Sequence, residues 1–424
     1  MTQACVTVTF LTARMGTPLL TRTSLALAVL LALLGPACAS SSNPDSQPGD
    51  PTAPPGAPTG TTAPPGPPSG TTDPPKPTLT TVRVHYASTP TKPAAMTLRG
   101  SAGSLSWDKS VPVTLTKPGL YTWTAPDAKT DLELKPMLGE AWSHGPNYRV
   151  KAGQAIDIYP HFVETRGAVT KRYPSFVSQK LPSTRGVWVY LPPTYVENTE
   201  ARFGVLYMHD GINLFDPSLA FGGNEWKVDE TMDAGAEDGS IRETIVVGIE
   251  STAARMTELT PAPDPKNSGG HAEDYIAMMI DEIKPMIDKD LRTIPTREQT
   301  AIMGSSLGGL ASAYAGVRRA DVFGLVGEMS PSTWWAGTMI LGEVSSTLTR
   351  PAKPLRVYVD SGDSGTQSDD VVNTTELAAR YRKVGYTDAK DLLHVVQPGG
   401  QHSEIYWAQR LPAALHFLLG ARAN

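Results

Sequence analysis

Apolar and polar positions alternate with period two at Val82, Val84 and Tyr86, at Val111, Val113 and Leu115, at Tyr121 and Trp123, at Leu132 and Leu134, and at Ile156 and Ile158. This pattern predicts short strands with one buried face. Turn chemistry separates them at Arg99-Gly100-Ser101, Lys117-Pro118-Gly119, Gly145-Pro146-Asn147 and Ala152-Gly153, so residues 80–165 read as a small all-β sandwich. Trp123 is in phase with Tyr121 and belongs to the expected core. Trp107 and Trp142 stay open between packing and stacking on a sugar ring.

From Val187 onward the apolar runs become continuous. Val187–Leu191, Gly204–Met208, Thr244–Gly248, Thr300–Met303, Gly324–Gly327, Leu355–Val359 and Leu392–Val396 have strand length and little alternation. Ile276, Met279, Ile280, Ile283 and Ile287 recur at helical spacing between two of them, as do Leu377, Ala378 and Tyr381 between two others. Strands buried on both faces and alternating with helices predict a doubly wound, mostly parallel α/β sheet over residues 166–424. In such a sheet the functional groups collect at the carboxyl ends of the strands.

The amino-terminal 79 residues follow neither pattern. The apolar run Leu25–Leu34 comes after Arg14 and Arg22 and is too short to span a bilayer, so residues 1–38 read as an export signal. Gly35-Pro36-Ala37-Cys38 resembles a bacterial lipoprotein signal with Cys38 as the lipidated residue, while Ala37-Cys38-Ala39 also fits ordinary signal peptidase. Residues 39–79 repeat Thr-Ala-Pro-Pro-Gly units and read as an extended linker that cannot build a core. The expected location is therefore outside the cytoplasm, either as an outer-membrane or cell-surface lipoprotein or as a free periplasmic or secreted protein.

Composition narrows the chemistry. The 424 residues carry 37 basic and 42 acidic side chains, a net charge of -5, which leaves no basic footprint for nucleic acid. Cys5 and Cys38 are the only cysteines, so a disulfide framework or a cysteine metal site in the body of the chain is excluded. No metal and no cofactor are expected.

Gly304-Ser305-Ser306-Leu307-Gly308 directly follows the Thr300–Met303 run and opens a small-residue helix. That context, more than the motif itself, predicts a strand-turn-helix elbow presenting Ser306 as a nucleophile, with Ser305 at the variable position. A serine needs a base. His394 lies within a strand run and His416 in an apolar helix, whereas His402 sits in the turn Gly399-Gly400-Gln401-His402-Ser403-Glu404, before the last helix, and is the candidate general base. The orienting acid has to come from the loop after Val359, which offers Asp360, Asp363, Asp369 and Asp370.

Two resemblances add to this. Leu98-Arg99-Gly100, Leu105-Ser106-Trp107, Glu133-Leu134-Lys135 and Asn147-Tyr148 are similar to starch-binding and glycogen-recognition modules of immunoglobulin-like type, which implies a carbohydrate-binding-like sandwich. Val189–Tyr195, Leu206–Asp216, Val247–Glu250 with Arg255 and Glu258, the elbow, Met329–Trp335 and Gly400–Glu404 with Trp407 resemble the enterochelin-esterase and feruloyl or acetylxylan esterase superfamily, related to mycolyltransferases. The resemblance implies an α/β-hydrolase fold and a Ser-His-Asp triad working through an acyl-enzyme. It also implies an oxyanion hole from the backbone amides of Leu307 and Ile212. Relatives carry the acid about three residues after the strand-end glycine, where this chain has Gly365. An insertion there points to Asp369, with Asp363 as the alternate. Trp334 and Trp335 are the expected substrate pocket, Arg255 and Glu258 an ion pair framing the site, and His209 a residue shaping the Asp210-Gly211 turn.

The resulting expectation is an exported serine carboxylic-ester hydrolase acting on a small-molecule or glycan-linked ester. The alternatives are a surface carbohydrate-binding protein with an inactive esterase-like scaffold, and an acyltransferase to an alcohol acceptor.

Overall fold

The alternating amino-terminal segments fold as two sheets. The computed structural model describes residues 79–87, 95–101, 103–125, 128–348 and 354–420; the expected signal segment, Cys38 and the Pro/Gly/Thr repeats lie outside the described residues. Strands β1 (Thr80–His85), β2 (Met96–Gly100), β3 (Val111–Pro112), β4 (Thr114–Lys117) and β5 (Leu120–Ala125) are followed by β6 (Leu132–Leu138), β7 (Ala141–Trp142), β8 (Tyr148–Val150) and β9 (Ala155–Ile158). One sheet runs β4-β5-β1-β9; the other runs β3-β2-β6-β7, with β8 also on β6. Val82, Val84, Leu98, Trp123, Leu132, Leu134 and Ile158 pack between them. The Val111–Leu115 alternation does not yield one strand. The chain changes sheets at Val113, with β3 pairing β2 and β4 pairing β5, and Leu115 faces solvent instead of the core.

The second part is an eight-stranded sheet of β10 (Ala168–Val177), β11 (Thr184–Leu191), β12 (Gly204–Met208), β13 (Thr244–Ile249), β14 (Thr300–Ser305), β15 (Leu325–Met329), β16 (Arg356–Gly362) and β17 (Leu392–Gln397). Their order is β10-β11-β13-β12-β14-β15-β16-β17. β10 and β11 are antiparallel to their neighbours and β12 to β17 are parallel, which is the α/β-hydrolase architecture expected. Every residue of β12, β13, β14 and β15 is buried, which explains their continuous apolar runs. β10 left no such signal: it is an edge strand, mostly exposed, and reads polar.

Nine helices accompany the sheet among the described residues: α1 (Pro193–Glu197), α2 (Val228–Asp238), α3 (Arg255–Glu258), α4 (Ala272–Met278), α5 (Lys284–Asp290), α6 (Leu307–Arg318), α7 (Trp335–Ser346), α8 (Val371–Lys383) and α9 (Glu404–Leu419). The Ile276–Ile287 pattern spans α4 and α5, joined by a π-turn at Met279–Ile283. Pro285 lies two residues beyond it and lacks the N–H a regular helix needs there. Tyr275, Ile287, Leu310, Ile340 and Leu377 cover one face of the sheet, and Met232, Leu411 and Leu415 from α2 and α9 cover the other.

The two parts are sewn together at α1. The Glu197 carboxylate accepts the Tyr86 hydroxyl (2.9 Å) and the backbone N–H groups of Phe162, Val163 and Glu164 (2.9, 2.7 and 3.1 Å). The neighbouring Asn198 amide donates to the His85 and Pro160 carbonyls at 2.9 Å each. The described residues accordingly belong to one compact unit.

Candidate active site

β14 delivers the chain to Ser306, the residue before α6, in a backbone conformation of φ 57°, ψ −123°. A non-glycine residue there is strained, and such strain persists only where the surroundings impose it. Gly304 makes the turn possible, because a Cβ at that position would lie 2.6 Å from the His209 ring and 2.9 Å from the Gly308 backbone. The Ser306 N–H bonds the Met329 carbonyl (3.0 Å), tying the elbow to the next strand. Its hydroxyl lies 3.4 Å from that of Ser332, and no hydrogen bond to His402 forms in this state. Ser305, the competing serine, is buried as the last residue of β14.

His402 follows β17 in the expected turn, and its Nδ1 lies 2.6 Å from Asp369 Oδ1. The other Asp369 oxygen accepts the Gly362 N–H (2.5 Å) and the Ser330 hydroxyl (2.7 Å). Burial opposes ionisation of Asp369, but these donors and the imidazole outweigh it and hold the carboxyl below its ordinary range. The aspartate reaches this place through an unusual loop: Gln367, Ser368, Asp369 and Asp370 all have φ between 50° and 55°.

The other three acids are committed elsewhere. Asp363 accepts the Gly399 N–H at 2.7 Å, bracing the histidine loop without touching the ring. Asp370 accepts the Trp334 N–H (3.1 Å) and the Asn373 amide (2.6 Å). Asp360 is fully buried, 2.9 Å from Arg410 Nε, and accepts the Ser330 N–H (3.0 Å).

Sequence reasoning missed the support under Asp369. Ser330 Oγ receives the Trp407 indole N–H (2.9 Å) and Arg410 Nη2 (2.7 Å) while donating to Asp369. Trp407 also meets the His402 ring edge-on at 5.0 Å. Two side chains three residues apart on one face of α9 thus hold both Asp369 and His402. The i, i+3 spacing of Trp407 and Arg410 directly after the His402 turn was the available signal.

On the opposite side, Leu307 is the first residue of α6 and Ile212 lies in the 3₁₀ turn Gly211–Asn213, positions whose N–H groups have no intrahelical acceptor. Gly211 lets that turn press against β13, since a Cβ would lie 2.7 Å from the Gly248 carbonyl. Asp210, at φ 56°, is held by a bidentate Arg255 pair (2.7 and 2.8 Å) and by Ser251 (2.5 Å). The expected Arg255–Glu258 pair does not form. Glu258 is buried against Arg185 (2.9 Å) and Arg255 clamps Asp210 (2.7 Å), so each pairs with an opposite charge from another segment.

His209 bonds Tyr275 (3.0 Å) and Ser312 (3.1 Å), and burial pulls its imidazole down to about 4, so it is a neutral strut linking β12 to α4 and α6. The tryptophan pair divides. Trp334 is 41 % exposed, whereas Trp335 has no exposed surface and its indole N–H bonds the Ala262 carbonyl (2.7 Å). The expectation that Trp335 lines the substrate pocket is therefore corrected: it belongs to the core, because the turn after β15 directs its ring inward. Among the described residues, Glu225, Asp229 and Glu230 form a group of acids able to share a cation, and none of them belongs to this site.

With this geometry in view, residues 178–418 match the family model named Esterase. The chain belongs to the Esterase family. It is a carboxylic ester hydrolase. The Bacillus subtilis (strain 168) uncharacterized protein YbbA is 24 % identical over 256 residues, covering 58 % of this chain and 96 % of YbbA. An endo-1,4-beta-xylanase/feruloyl esterase of Xylanibacter ruminicola is 31 % identical over 168 residues, covering 38 % of this chain and 21 % of that protein. Among solved structures, a ferulic acid esterase shares 23 % identity over 60 % of this chain and 98 % of its own, with a TM-score of 0.47. No helix among the described residues is long and apolar enough to cross a membrane.

Proposed function

We propose that this esterase is a serine hydrolase in which Ser306, His402 and Asp369 act as nucleophile, general base and orienting acid. The observation that carries the reading is the 2.6 Å contact of Asp369 with His402 Nδ1, at the sheet edge where the strained elbow presents Ser306. His402 Nε2 takes the Ser306 proton as Oγ attacks the ester carbonyl, and the Leu307 and Ile212 N–H groups receive the oxyanion. Collapse breaks the ester C–O bond, the leaving alcohol takes the proton from His402, and an acyl group remains on Oγ. Water, deprotonated by His402, then releases the carboxylic acid and restores the serine. The signal-like residues 1–38 and the repetitive linker support an exported enzyme, tethered through Cys38 where lipidation occurs. The test is labelling by a fluorophosphonate followed by peptide mass mapping. Adduct on Ser306, lost on pre-treatment with substrate, supports the mechanism; an unlabelled, folded protein would falsify it.

A further inference from the structure

Three hydroxyl groups sit on the turn that leaves β15, residues 329–335, and two of them are bonded away from the nucleophile. Ser330 donates to Asp369 and accepts from Trp407 and Arg410, and Thr333 donates to the Pro331 carbonyl at 3.1 Å. The third, Ser332, is 3 % exposed, and its hydroxyl has one partner among the described residues, the Ser306 Oγ at 3.4 Å. Burying a hydroxyl with so little to bond is costly, and alanine would fill nearly the same space, so packing gives no reason for a serine here.

The same turn holds the nucleophile by its backbone. The Ser306 N–H donates to the Met329 carbonyl and the Ser332 N–H donates to the Ser306 carbonyl, both at 3.0 Å. Gly309 lets α6 close on the turn, since a Cβ there would lie 2.8 Å from the Met329 carbonyl oxygen and 3.0 Å from Pro331 Cα. The Ser332 side chain is thus fixed beside Oγ by contacts that do not involve its hydroxyl. It stands on the β15 side of the elbow, while Ile212, the proposed oxyanion donor, follows β12 on the other side. Its place is against Oγ and away from the ester carbonyl oxygen.

We infer that Ser332 is a further catalytic residue, whose hydroxyl donates to Ser306 Oγ while that oxygen carries charge, as it attacks the ester and again as it leaves the acyl group. In the attack the Ser306 proton passes to His402 as the Oγ–C bond forms. In deacylation the Oγ–C bond breaks and Oγ takes a proton back from His402. Ser332 keeps its own proton throughout and supplies only a hydrogen bond, stronger to the charged oxygen of the transition state than to a neutral hydroxyl or ester. Removing one oxyanion-hole donor costs about 10²- to 10³-fold. A separation of 3.4 Å is long for an O–H···O bond, and the charge on Oγ is partial, so the effect here should be about 10-fold.

The inference rests on the serine-esterase reading. Its test compares full-length wild type, Ser332→Ala and Ser332→Cys by kcat and KM on p-nitrophenyl acetate and by the second-order rate of fluorophosphonate labelling at Ser306, with melting temperatures alongside. Ser332→Ala keeps the backbone contacts of the turn, so its melting temperature should hold while kcat and the labelling rate both fall about 10-fold and KM stays within about 2-fold. Ser332→Cys, close in shape and a weaker donor, should lie between the two. Unchanged rates in Ser332→Ala overturn the inference. So do faster rates, which would make Ser332 a resting brake on Ser306, and a raised KM at constant kcat, which would make it a substrate contact. A Ser332→Cys slower than Ser332→Ala would trace the loss to packing and overturn it as well. Folded wild-type protein that takes no label strikes the serine mechanism itself instead.

Discussion

At the carboxyl edge of the parallel strands the backbone is strained; at the amino edge it is relaxed. Of the twelve described non-glycine residues with positive φ, eleven lie on segments leaving the carboxyl ends, from Asp210 and Ser306 to the Gln367–Asp370 run. Ala389 alone sits at the opposite edge. Buried charge divides in a similar way: the Asp210–Arg255 clamp and the Asp360–Arg410–Ser330–Asp369 network belong to the carboxyl edge. Each left-handed residue costs on the order of 1–2 kcal/mol, and a fold tolerates that where packing holds the chain in place. The same eight strands therefore support one edge selected for stability and one selected for the placement of a few polar atoms.

The largest effect should come from the elbow. Ser306→Ala is expected to lower kcat/KM on p-nitrophenyl acetate by about 10⁴-fold or more with an unchanged melting temperature. Next is the acid loop. Asp369→Asn should reduce kcat by roughly 10³- to 10⁴-fold, whereas Asp363→Asn, which removes only a brace on Gly399, should stay within about 3-fold of wild type. Equal losses in the two variants would erase the distinction drawn between these aspartates.

A smaller catalytic loss should follow from loosening the clamp on the oxyanion turn. Asp210→Asn keeps the size but gives up the ion pair with Arg255, so kcat should fall about 10- to 100-fold with little change in KM. A rise in KM at constant kcat would mean that Asp210 serves ground-state binding.

Inside the sheet, next to the last residue of β15, burial pushes the Glu328 carboxyl up to about 8 despite the Tyr381 hydroxyl donating to it at 2.6 Å. A folded-state value above the unfolded one means the native protein holds the proton more tightly. The contribution is complete below pH 4.5 and is lost as pH rises toward 8. Glu328→Gln should thus leave stability near pH 4.5 little altered and raise it by several kcal/mol, on the order of 5, at pH 8.5, read from melts at the two values. The smallest effect belongs to the relaxed edge: Ala389→Gly should add about 0.5 kcal/mol by relieving its φ of 60°, with kcat untouched. A change in kcat there would break the comparison of the two edges.

The residues proposed for the site are largely legible in the sequence, and what the sequence does not record follows from physics. Ser306 and His402 were legible because each is announced by its immediate neighbours: an apolar strand on one side, a helix on the other, and glycines where the backbone must turn. Strands buried on both faces declared themselves as apolar runs. β10 did not, since an edge strand facing water has no need of them. The Val111–Leu115 alternation misled for a related reason, because the chain changes sheets in mid-pattern and the period says nothing about which partner a strand takes. Arg255 and Glu258 are near in sequence, yet each found a closer opposite charge on another segment. Trp334 and Trp335 are adjacent and chemically alike, and one turn of backbone sends the first to solvent and the second to the core.

By itself, then, the sequence determined the doubly wound sheet and singled out Ser306 and His402 as the proposed nucleophile and base, since each signal lies in a short run whose local propensities agree with one another. The tertiary structure alone decided which aspartate reaches His402. Asp360, Asp363, Asp369 and Asp370 are equivalent as residue types. The choice rests on a left-handed turn, on the Gly362 N–H, and on a serine and an arginine carried by β15's exit and α9. Asp369 and His402 are 33 residues apart, and a contact at that range is set by where the sheet puts the ends of β16 and β17, which no local pattern records.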